Sequence, residues 1–154
     1  MRIIKPLDWI PPNGVKSVFL SGSIEMGMAE NWQSKVEKLL QDTDWVVFNP
    51  RRDDWDSSWE QKITNPEFCN QVIWELKALE AAKKIIMYFS PGTKSPITLL
   101  EFGLIVGQSP EKLIVVCPDG FWKKGNIDIV CDRYSINQVA TLEKAVENLK
   151  RGSR

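Results

Sequence analysis

The chain has 154 residues, of which 43% are hydrophobic and 26% are charged, a balance typical of one soluble globular domain. Twenty Lys and Arg balance twenty Asp and Glu, and no block of like charge stands out, so neither nucleic acid nor a membrane surface is expected as the main partner. The absence of histidine excludes Ser-His-Asp and Cys-His nucleophile systems and His-ligated zinc, so any catalysis relies on carboxylates, hydroxyls, Lys, Arg, Cys or backbone groups.

The first third of the chain alternates apolar runs with polar segments. Residues 1–14 are rich in proline, and we expect an irregular arm there. Residues 15–21 form an apolar, β-branched run typical of a buried strand, and residues 29–41 carry apolar side chains at helical spacing. Residues 45–48 predict a second strand. Residues 49–61 are polar, contain two tryptophans and show no periodicity, which predicts a long functional loop.

Two helices with proline at the first position are predicted in the middle of the chain. Asn65 precedes Pro66 and Glu67, a strong helix start, and this helix is expected to run to residue 82. Residues 85–89 predict a third strand. Ser95 and the proline after it then begin a helix that extends to about residue 107.

The last third predicts two more strands and a closing helix. Residues 113–117 are apolar and read as a strand, residues 127–130 as a short fifth strand, and residues 141–150 as an amphipathic helix. The fold class is therefore α/β, a flavodoxin-like three-layer sandwich with a five-stranded parallel sheet. We expect a single domain over residues 1–154, with residues 1–14 as the arm and 151–154 as a tail.

Ligands of such sheets bind beyond the carboxyl ends of the strands, at the point where strand order reverses. This rule places four segments around one crevice: residues 21–24, 49–59, 90–95 and 118–126. Within it, Glu101 is the most informative residue, because the helix segment PITLLEFGLIV contains just one other polar side chain, Thr98. A carboxylate in apolar surroundings is unfavourable unless it is paired, hydrogen-bonded or facing a cavity. A catalytic carboxylate and a carboxylate at a partly exposed edge or in a subunit-contact salt bridge are about equally favoured.

The other candidates each have a plain structural alternative. The Ser21-Gly22-Ser23 segment suits a phosphate or sugar contact, or a simple strand-end turn. Thr93 and Ser95 precede a helix and suit an anion or hydroxyl site, although capping alone would explain Ser95. In the polar loop, Trp55 could stack on a planar base while Asp and Arg contact its edge, or the tryptophans could pin a solvated loop. Glu75 is interpreted as solvent-facing, paired with Lys77 or Lys83.

Several motifs in the sequence resemble the nucleoside 2-deoxyribosyltransferase family, and more closely its second, "like" branch. They are FLSGSI, NPRRDDWD, QVIWELKALEAAKKIIMYF, SPITLLEFGL and GFWKKGNIDIVC, and together they span residues 16–134. The resemblance implies a flavodoxin-like fold and exchange of the base on a 2′-deoxyribonucleoside without metal or cofactor. The family's nucleophilic glutamate maps onto Glu101, which would attack C1′ and form a deoxyribosyl-enzyme ester.

The sequence departs from the family where classical members carry two further aspartates, since Lys83-Lys84 and Lys94-Ser95 stand there. The acid that protonates the leaving base is therefore assigned to Asp54 or, failing that, Asp53. Asn49, Arg51 and Trp55 complete the expected substrate contacts. The family completes its site from a neighbouring subunit, for which Asn126 or Asp128 could serve, and this implies a homo-oligomer.

Two other functions stay open at this point. Arg51, Arg52 and Lys94 could hold a 5′-phosphate, which would favour a deoxynucleoside 5′-monophosphate N-glycosidase that transfers to water. The missing aspartates favour a nucleotide-binding sensor without turnover. Three widely spaced cysteines, the absence of a long apolar segment and an N-terminus without a secretory pattern predict a cytoplasmic protein. The expected partners are a nucleoside or nucleotide and a free base.

Overall fold

A computed structural model describes residues 1–24, 30–54 and 56–152. In this part of the chain six strands form one parallel sheet. In chain order they are β1 (Arg2–Ile4), β2 (Ser17–Gly22), β3 (Val46–Phe48), β4 (Lys84–Tyr88), β5 (Leu113–Val116) and β6 (Asn137–Val139).

The sheet is flanked by α-helices on both faces. The described residues form α1 (Trp32–Leu40), α2 (Pro66–Ala81), α3 (Pro96–Gln108), α4 (Lys124–Arg133) and α5 (Leu142–Arg151). A 3-10 turn, Pro110–Lys112, leads into β5. None of the helices that the structure describes is long and apolar enough to cross a membrane.

The strand order is β1-β3-β2-β4-β5-β6, with every neighbouring pair parallel. Without β1 this is the flavodoxin order, which confirms the predicted fold class. The added strand β1 pairs with β3 at the sheet edge, so the sheet has six strands rather than the expected five. Strand order reverses between β2 and β4, where Gly22 lies opposite Tyr88. The carboxyl ends of these two central strands therefore form the predicted ligand-binding edge.

The core has two parts, one on each face of the sheet, because alternate residues of a strand point to opposite faces. Val18 and Leu20 of β2 pack with Trp32 of α1 and Leu142 of α5. Phe19 points the other way and packs in the core that contains residues of α2, α3 and α4. Helices α2 and α3 thus share one face of the sheet, and this arrangement determines which side chains meet at the site.

Side-chain caps are clear at the starts of two helices, of which the sequence predicts the one at Asn65. The side chain of Asn65 accepts a hydrogen bond from the Phe68 amide at 3.1 Å, with Pro66 at the first helical position of α2. The Thr141 hydroxyl accepts from the Lys144 amide at 3.1 Å at the start of α5.

Two sequence-based expectations about the elements are wrong, and one strand was missed. The arm over residues 1–14 contains β1, which is only three residues long, with Ile4 buried against the sheet. Residues 127–130 lie inside α4 rather than in a strand, because the buried Ile127 and Cys131 are spaced four apart and share one helix face. The strand on that side is β6, whose sequence Asn-Gln-Val gives no apolar signal because it is a half-exposed edge strand.

Candidate active site

Glu101 lies in the second turn of α3 and is 8% exposed. Helix α3 begins at the carboxyl edge of the sheet, so its second turn passes over the end of β2. There the Ser21 hydroxyl donates a hydrogen bond to Glu101 Oε1 at 3.2 Å. The carboxylate is therefore buried at the point where strand order reverses, and it is not at an exposed edge. Its hydrogen bond orients the group without neutralising it.

The surroundings of Glu101 favour its protonated form. Burial and, to a smaller extent, the nearby carboxylate of Glu75 raise the pKa of Glu101 to about 8, against the opposing effect of the Ser21 hydrogen bond. A carboxyl group with a pKa this far above its ordinary value is typical of a functional site.

Glu75 lies on α2, the helix that shares a face of the sheet with α3, and it is half-buried. Burial raises the pKa of Glu75 to about 7, opposed by a 2.9 Å hydrogen bond that Gln71 Nε2 donates to Glu75 Oε1. The interpretation of Glu75 as a solvent-facing partner of Lys77 or Lys83 is wrong. Its neighbours one turn away, Gln71, Ala78 and Leu79, are all buried. The signal in the sequence was the apolar character of Ala78 and Leu79.

The half-buried Glu75 and the buried Glu101, from two helices on one face of the sheet, interact electrostatically. The protons of such a pair belong to the pair rather than to either residue, and here they leave near neutral pH. When the pair holds one proton, one carboxylate can act as a nucleophile while the other carboxyl group acts as an acid.

A cluster of hydroxyl groups lies beside this pair at the start of α3. Ser23 Oγ lies 2.9 Å from Thr93 Oγ1 and also contacts Ser95 Oγ, and the Thr93 and Ser95 hydroxyls are 2.8 Å apart. The Ser90 amide donates to Ser23 Oγ at 3.3 Å, which joins the ends of β2 and β4. The structure thus brings together three of the predicted substrate-binding hydroxyl residues.

Ser95 does not act as a helix cap. Its backbone is left-handed, with φ of 47°, and its side chain makes no capping hydrogen bond to α3. The hydroxyl instead faces Ser23 and Thr93. Capping therefore does not explain the choice of serine at this position.

Gly22 permits a close approach of three elements. A Cβ atom at this position would lie 2.5 Å from the Tyr88 carbonyl oxygen and 2.5 Å from the Trp32 ring. The same ring donates from Nε1 to the Ser23 carbonyl at 3.2 Å. The glycine thus lets α1 pack on the end of β2 and fixes the backbone that carries Ser21 and Ser23.

Asn49 and Arg51 follow β3 and are buried. Asn49 Oδ1 accepts from the Arg51 amide at 3.0 Å, and its amide nitrogen donates to Glu37. Arg51 Nη1 donates to the Glu30 carbonyl at 3.2 Å and to Gln33 Oε1 at 3.4 Å. These contacts bind the first part of the polar loop to the start of α1.

The next part of the loop contacts α2 instead, through a hydrogen bond from Arg52 to Gln71. Arg52 forms a bidentate pair with Asp54, with Nε–Oδ1 and Nη2–Oδ2 distances of 2.9 Å. The Arg52 guanidinium holds the pKa of the exposed Asp54 carboxyl below its usual range, so Asp54 is ionised in neutral solution. Asp53 is exposed, and Trp55 lies outside the described residues.

The fourth predicted segment, residues 118–126, supports the loop that carries Thr93. Trp122 Nε1 donates to the Lys94 carbonyl at 3.0 Å, and the Gly92 amide donates to the Gly120 carbonyl at 3.3 Å. The Lys94 ammonium lies 5.7 Å from the centre of the Trp122 ring. Asn126 is exposed in the first turn of α4.

Comparison with known proteins gives one family. A family model described as nucleoside 2-deoxyribosyltransferase like matches residues 15–121, which is more than half of the chain. The matched region runs from just before β2 to the loop after β5 and contains Ser21, Glu75 and Glu101. A search of curated proteins finds no match.

Proposed function

The chain belongs to the nucleoside 2-deoxyribosyltransferase-like family, and we propose that it transfers the deoxyribosyl group of a 2′-deoxyribonucleoside, or of its 5′-monophosphate, from one base to another. One observation carries this proposal: Glu101 is a buried carboxylate at the ligand-binding edge of the sheet, oriented by Ser21 and coupled to a second carboxyl group. A nucleoside bound at this edge of the sheet would contact both a nucleophile and an acid.

In the first half-reaction, ionised Glu101 attacks C1′ and forms an ester bond to the sugar. The C1′–N bond breaks, its electron pair stays on the base nitrogen, and a carboxylic acid gives that nitrogen a proton. The transition state resembles an oxocarbenium ion, which a 2′-deoxy sugar reaches easily because it lacks the electron-withdrawing 2′-hydroxyl.

In the second half-reaction, a different base attacks C1′ and the ester bond to Glu101 breaks. The incoming base nitrogen loses its proton to the carboxylate that acted as the acid, which restores both carboxyl groups to their starting states. Attack by water instead of a base would release free deoxyribose, and the protein would then be an N-glycosidase.

Glu75 is a better candidate than Asp54 for the acid that protonates the leaving base. Burial raises its pKa to about 7, and it interacts electrostatically with Glu101. The reactive form of the pair is the one whose single proton lies on Glu75 while Glu101 is ionised. Asp54 is paired with Arg52 and has a lowered pKa. We therefore propose Glu75 as the proton donor, with Asp54 and Asp53 as the competing candidates.

The remaining predicted residues are proposed to hold the substrate. Ser23, Thr93 and Ser95 offer hydroxyl groups to the sugar and its 5′ substituent. The base would lie toward the loop after β3, where Asn49, Arg51, Asp53 and Trp55 are the proposed contacts. In the described residues Arg51, Arg52 and Lys94 already contact Gln33, Asp54 and Trp122, so a 5′-phosphate would have to draw one of these cations away.

The test is base exchange by the purified protein. Each deoxynucleoside and each deoxynucleoside 5′-monophosphate is incubated with and without a second free base, and the products are separated by chromatography. A swapped base supports the transferase, and release of free base without exchange supports the glycosidase. Rapid quenching and peptide mass spectrometry would locate the sugar ester, which we expect on the peptide containing Glu101.

Glu101→Ala and Glu75→Gln are the informative variants. We expect the first to abolish both exchange and release, and the second to slow them about 100-fold or more, because general acid catalysis contributes at least that much. Asp54→Asn would show the larger loss if Asp54 were the acid. Thermal stabilisation by a nucleoside without any product would overturn the enzyme proposal and favour a sensor.

We also propose that the active form is a homo-oligomer in a reducing, cytoplasmic setting. Ile97, Leu100 and Leu104 form a stripe of exposed large apolar side chains on α3, and Ile97 and Leu104 lie one turn from Glu101. Such a stripe favours contact with a second copy, from which Asn126 would enter the site. The three cysteines of the chain are free thiols, which agrees with a reducing compartment.

A further inference from the structure

The amide of Gln71 lies between the polar loop and Glu75. Arg52 Nη1 donates to Gln71 Oε1 at 3.3 Å, and Gln71 Nε2 donates to Glu75 Oε1 at 2.9 Å. Gln71 is 3% exposed, so its amide has little access to water and depends on these partners. The two hydrogen bonds use opposite ends of one amide group.

Arg52 therefore determines which end of the amide faces Glu75. A guanidinium only donates hydrogen bonds, so it selects the oxygen of Gln71 and turns the nitrogen toward the carboxyl group. Arg52 is itself fixed by its bidentate pair with Asp54 and lies 5.3 Å from the centre of the Trp59 ring. The orientation is thus imposed by the loop after β3 and is not a property of α2 alone.

We propose that Gln71 and Arg52 are positioning residues that hold Glu75 for proton exchange with the base. The inference rests on the proposed role of Glu75 as the acid. The Gln71 hydrogen bond leaves the other carboxyl oxygen of Glu75 to carry the proton, and it favours the ionised form that must take a proton back from the incoming base. The loop that is proposed to contact the base thereby also sets the state of the acid.

The groups around Glu75 act in opposite directions. Burial raises the pKa of Glu75, and an ionised Glu101 on α3 acts in the same direction, whereas the hydrogen bond from Gln71 lowers it. The charge of Arg52 is balanced by its bidentate pair with Asp54. Gln71 stands between Glu75 and Arg52. Removing the amide should therefore make Glu75 retain its proton to higher pH, while the loss of proton from Glu101 changes less.

The test measures the titration of Glu75 directly and through catalysis. Carboxyl ¹³C chemical shifts of the full-length protein, assigned with Glu75→Gln and Glu101→Gln, are followed against pH without substrate. In Gln71→Met we expect the Glu75 titration, and the high-pH limb of kcat/KM for base release, to move up by about one pH unit. We expect kcat to fall several-fold because the acid is no longer held in place.

A double-mutant cycle separates positioning from a direct charge effect. Arg52→Met should shift Glu75 in the same direction, because the amide can then turn its oxygen toward the carboxyl group and accept a hydrogen bond from the protonated form. In the Gln71→Met background Arg52→Met should add no further shift if it acts through the amide. A persistent shift there would show that Arg52 acts through space and would overturn its positioning role. Arg52→Lys, which keeps the charge and a donor, should recover part of the effect.

The outcomes distinguish this inference from the proposed function. If Gln71→Met lowers only stability, measured by urea unfolding, and leaves the Glu75 titration unchanged, the positioning role fails while the enzyme proposal stands. If Glu75→Gln retains full activity, the acid role fails, and with it this inference. Gln108→Met removes an exposed amide at the end of α3 and serves as the control, with an unchanged pH profile expected.

Discussion

At the scale of the residue, the site is defined by a carboxylate that the fold holds at a cost in stability. Glu101 is buried, accepts a hydrogen bond from Ser21, and interacts with a second carboxyl group on α2. A structural glutamate would be expected to have a cation as its partner, and the described residues around Glu101 supply a hydroxyl group instead. Function and stability should therefore make opposite demands on this residue.

The pH dependence of stability tests this conflict. Native Glu101 keeps its proton up to about pH 8, whereas the unfolded chain releases it near the ordinary glutamate value, so the native state binds more protons in between. The free energy of unfolding should fall as pH rises through this range. We expect Glu101→Gln to lack this fall and to be more stable than the natural protein at pH 8 by about 4 kcal/mol.

Urea unfolding of both proteins at pH 5, 7 and 8.5 measures the difference. At pH 5 it should be small, because glutamine and protonated glutamate have similar polarity and size. A Glu101→Gln protein that is less stable at every pH would show that Glu101 is a structural group, and the nucleophile would have to be sought elsewhere.

The sequence was sufficient to single out Glu101 as a carboxyl group in apolar surroundings, but not Glu75. The helix around Glu101 is almost entirely apolar, so a single carboxylate stands out by pattern alone. Glu75 lies in a helix with mixed polarity, and its significance depends on Gln71 and Glu101, one of which comes from another element. The apolar residues three and four positions after Glu75 indicate that Glu75 lies at the edge of the buried face of α2.

At the scale of the element, α2 and α3 begin with similar sequences but different physics. Asn65 caps α2 by accepting from the Phe68 amide at 3.1 Å. Ser95 stands at the same place before α3 in a left-handed backbone with φ of 47°, and its hydroxyl joins Ser23 and Thr93 instead. Asn65 stabilises its helix as a cap, whereas Ser95 has a strained backbone and its hydroxyl lies in the candidate site.

Two matched substitutions should separate these roles. Asn65→Ala should lower the free energy of unfolding by about 1 kcal/mol and leave KM unchanged. Ser95→Gly relieves the left-handed backbone and loses no capping bond, so its stability should change by less than about 1 kcal/mol while KM rises several-fold. The measurements are urea unfolding and the kinetics of base release. A large loss of stability in Ser95→Gly with normal KM would identify Ser95 as a structural residue.

Element prediction succeeded where the apolar pattern was long and failed where it was short. The central strands β2, β4 and β5 are continuously buried and were predicted to within two residues at each end. The edge strands β1 and β6 have three residues each and depend on pairing with a neighbour rather than on an apolar run. Residues 127–130, Ile-Asp-Ile-Val, suggest a strand because a segment of four residues is too short to distinguish the two periods.

At the scale of the whole molecule, the site is a product of topology. The rule that ligands bind at the carboxyl edge of a parallel sheet brought Ser23, Thr93 and Ser95 together from segments about 70 residues apart, as their contacts confirm. The sequence did not reveal that α2 and α3 lie on one face of the sheet, and that placement couples Glu75 to Glu101. Layer assignment requires the packing of both cores, which no local pattern encodes.

The exposed apolar stripe of α3 leads to a prediction about assembly. Leu100 is 68% exposed and directly precedes Glu101, the proposed nucleophile, and an exposed leucine in an apolar stripe is best explained by contact with a second copy of the chain. We expect the protein to sediment as a dimer or larger species at micromolar concentration, and Leu100→Glu to sediment as a monomer with at least a tenfold loss of base release, because the site would lack its contribution from the neighbour. Ile63→Glu changes a residue that is 85% exposed outside the helices and should alter neither property. A fully active monomer at all concentrations would show that one chain completes the site, and Asn126 would then have no role in it.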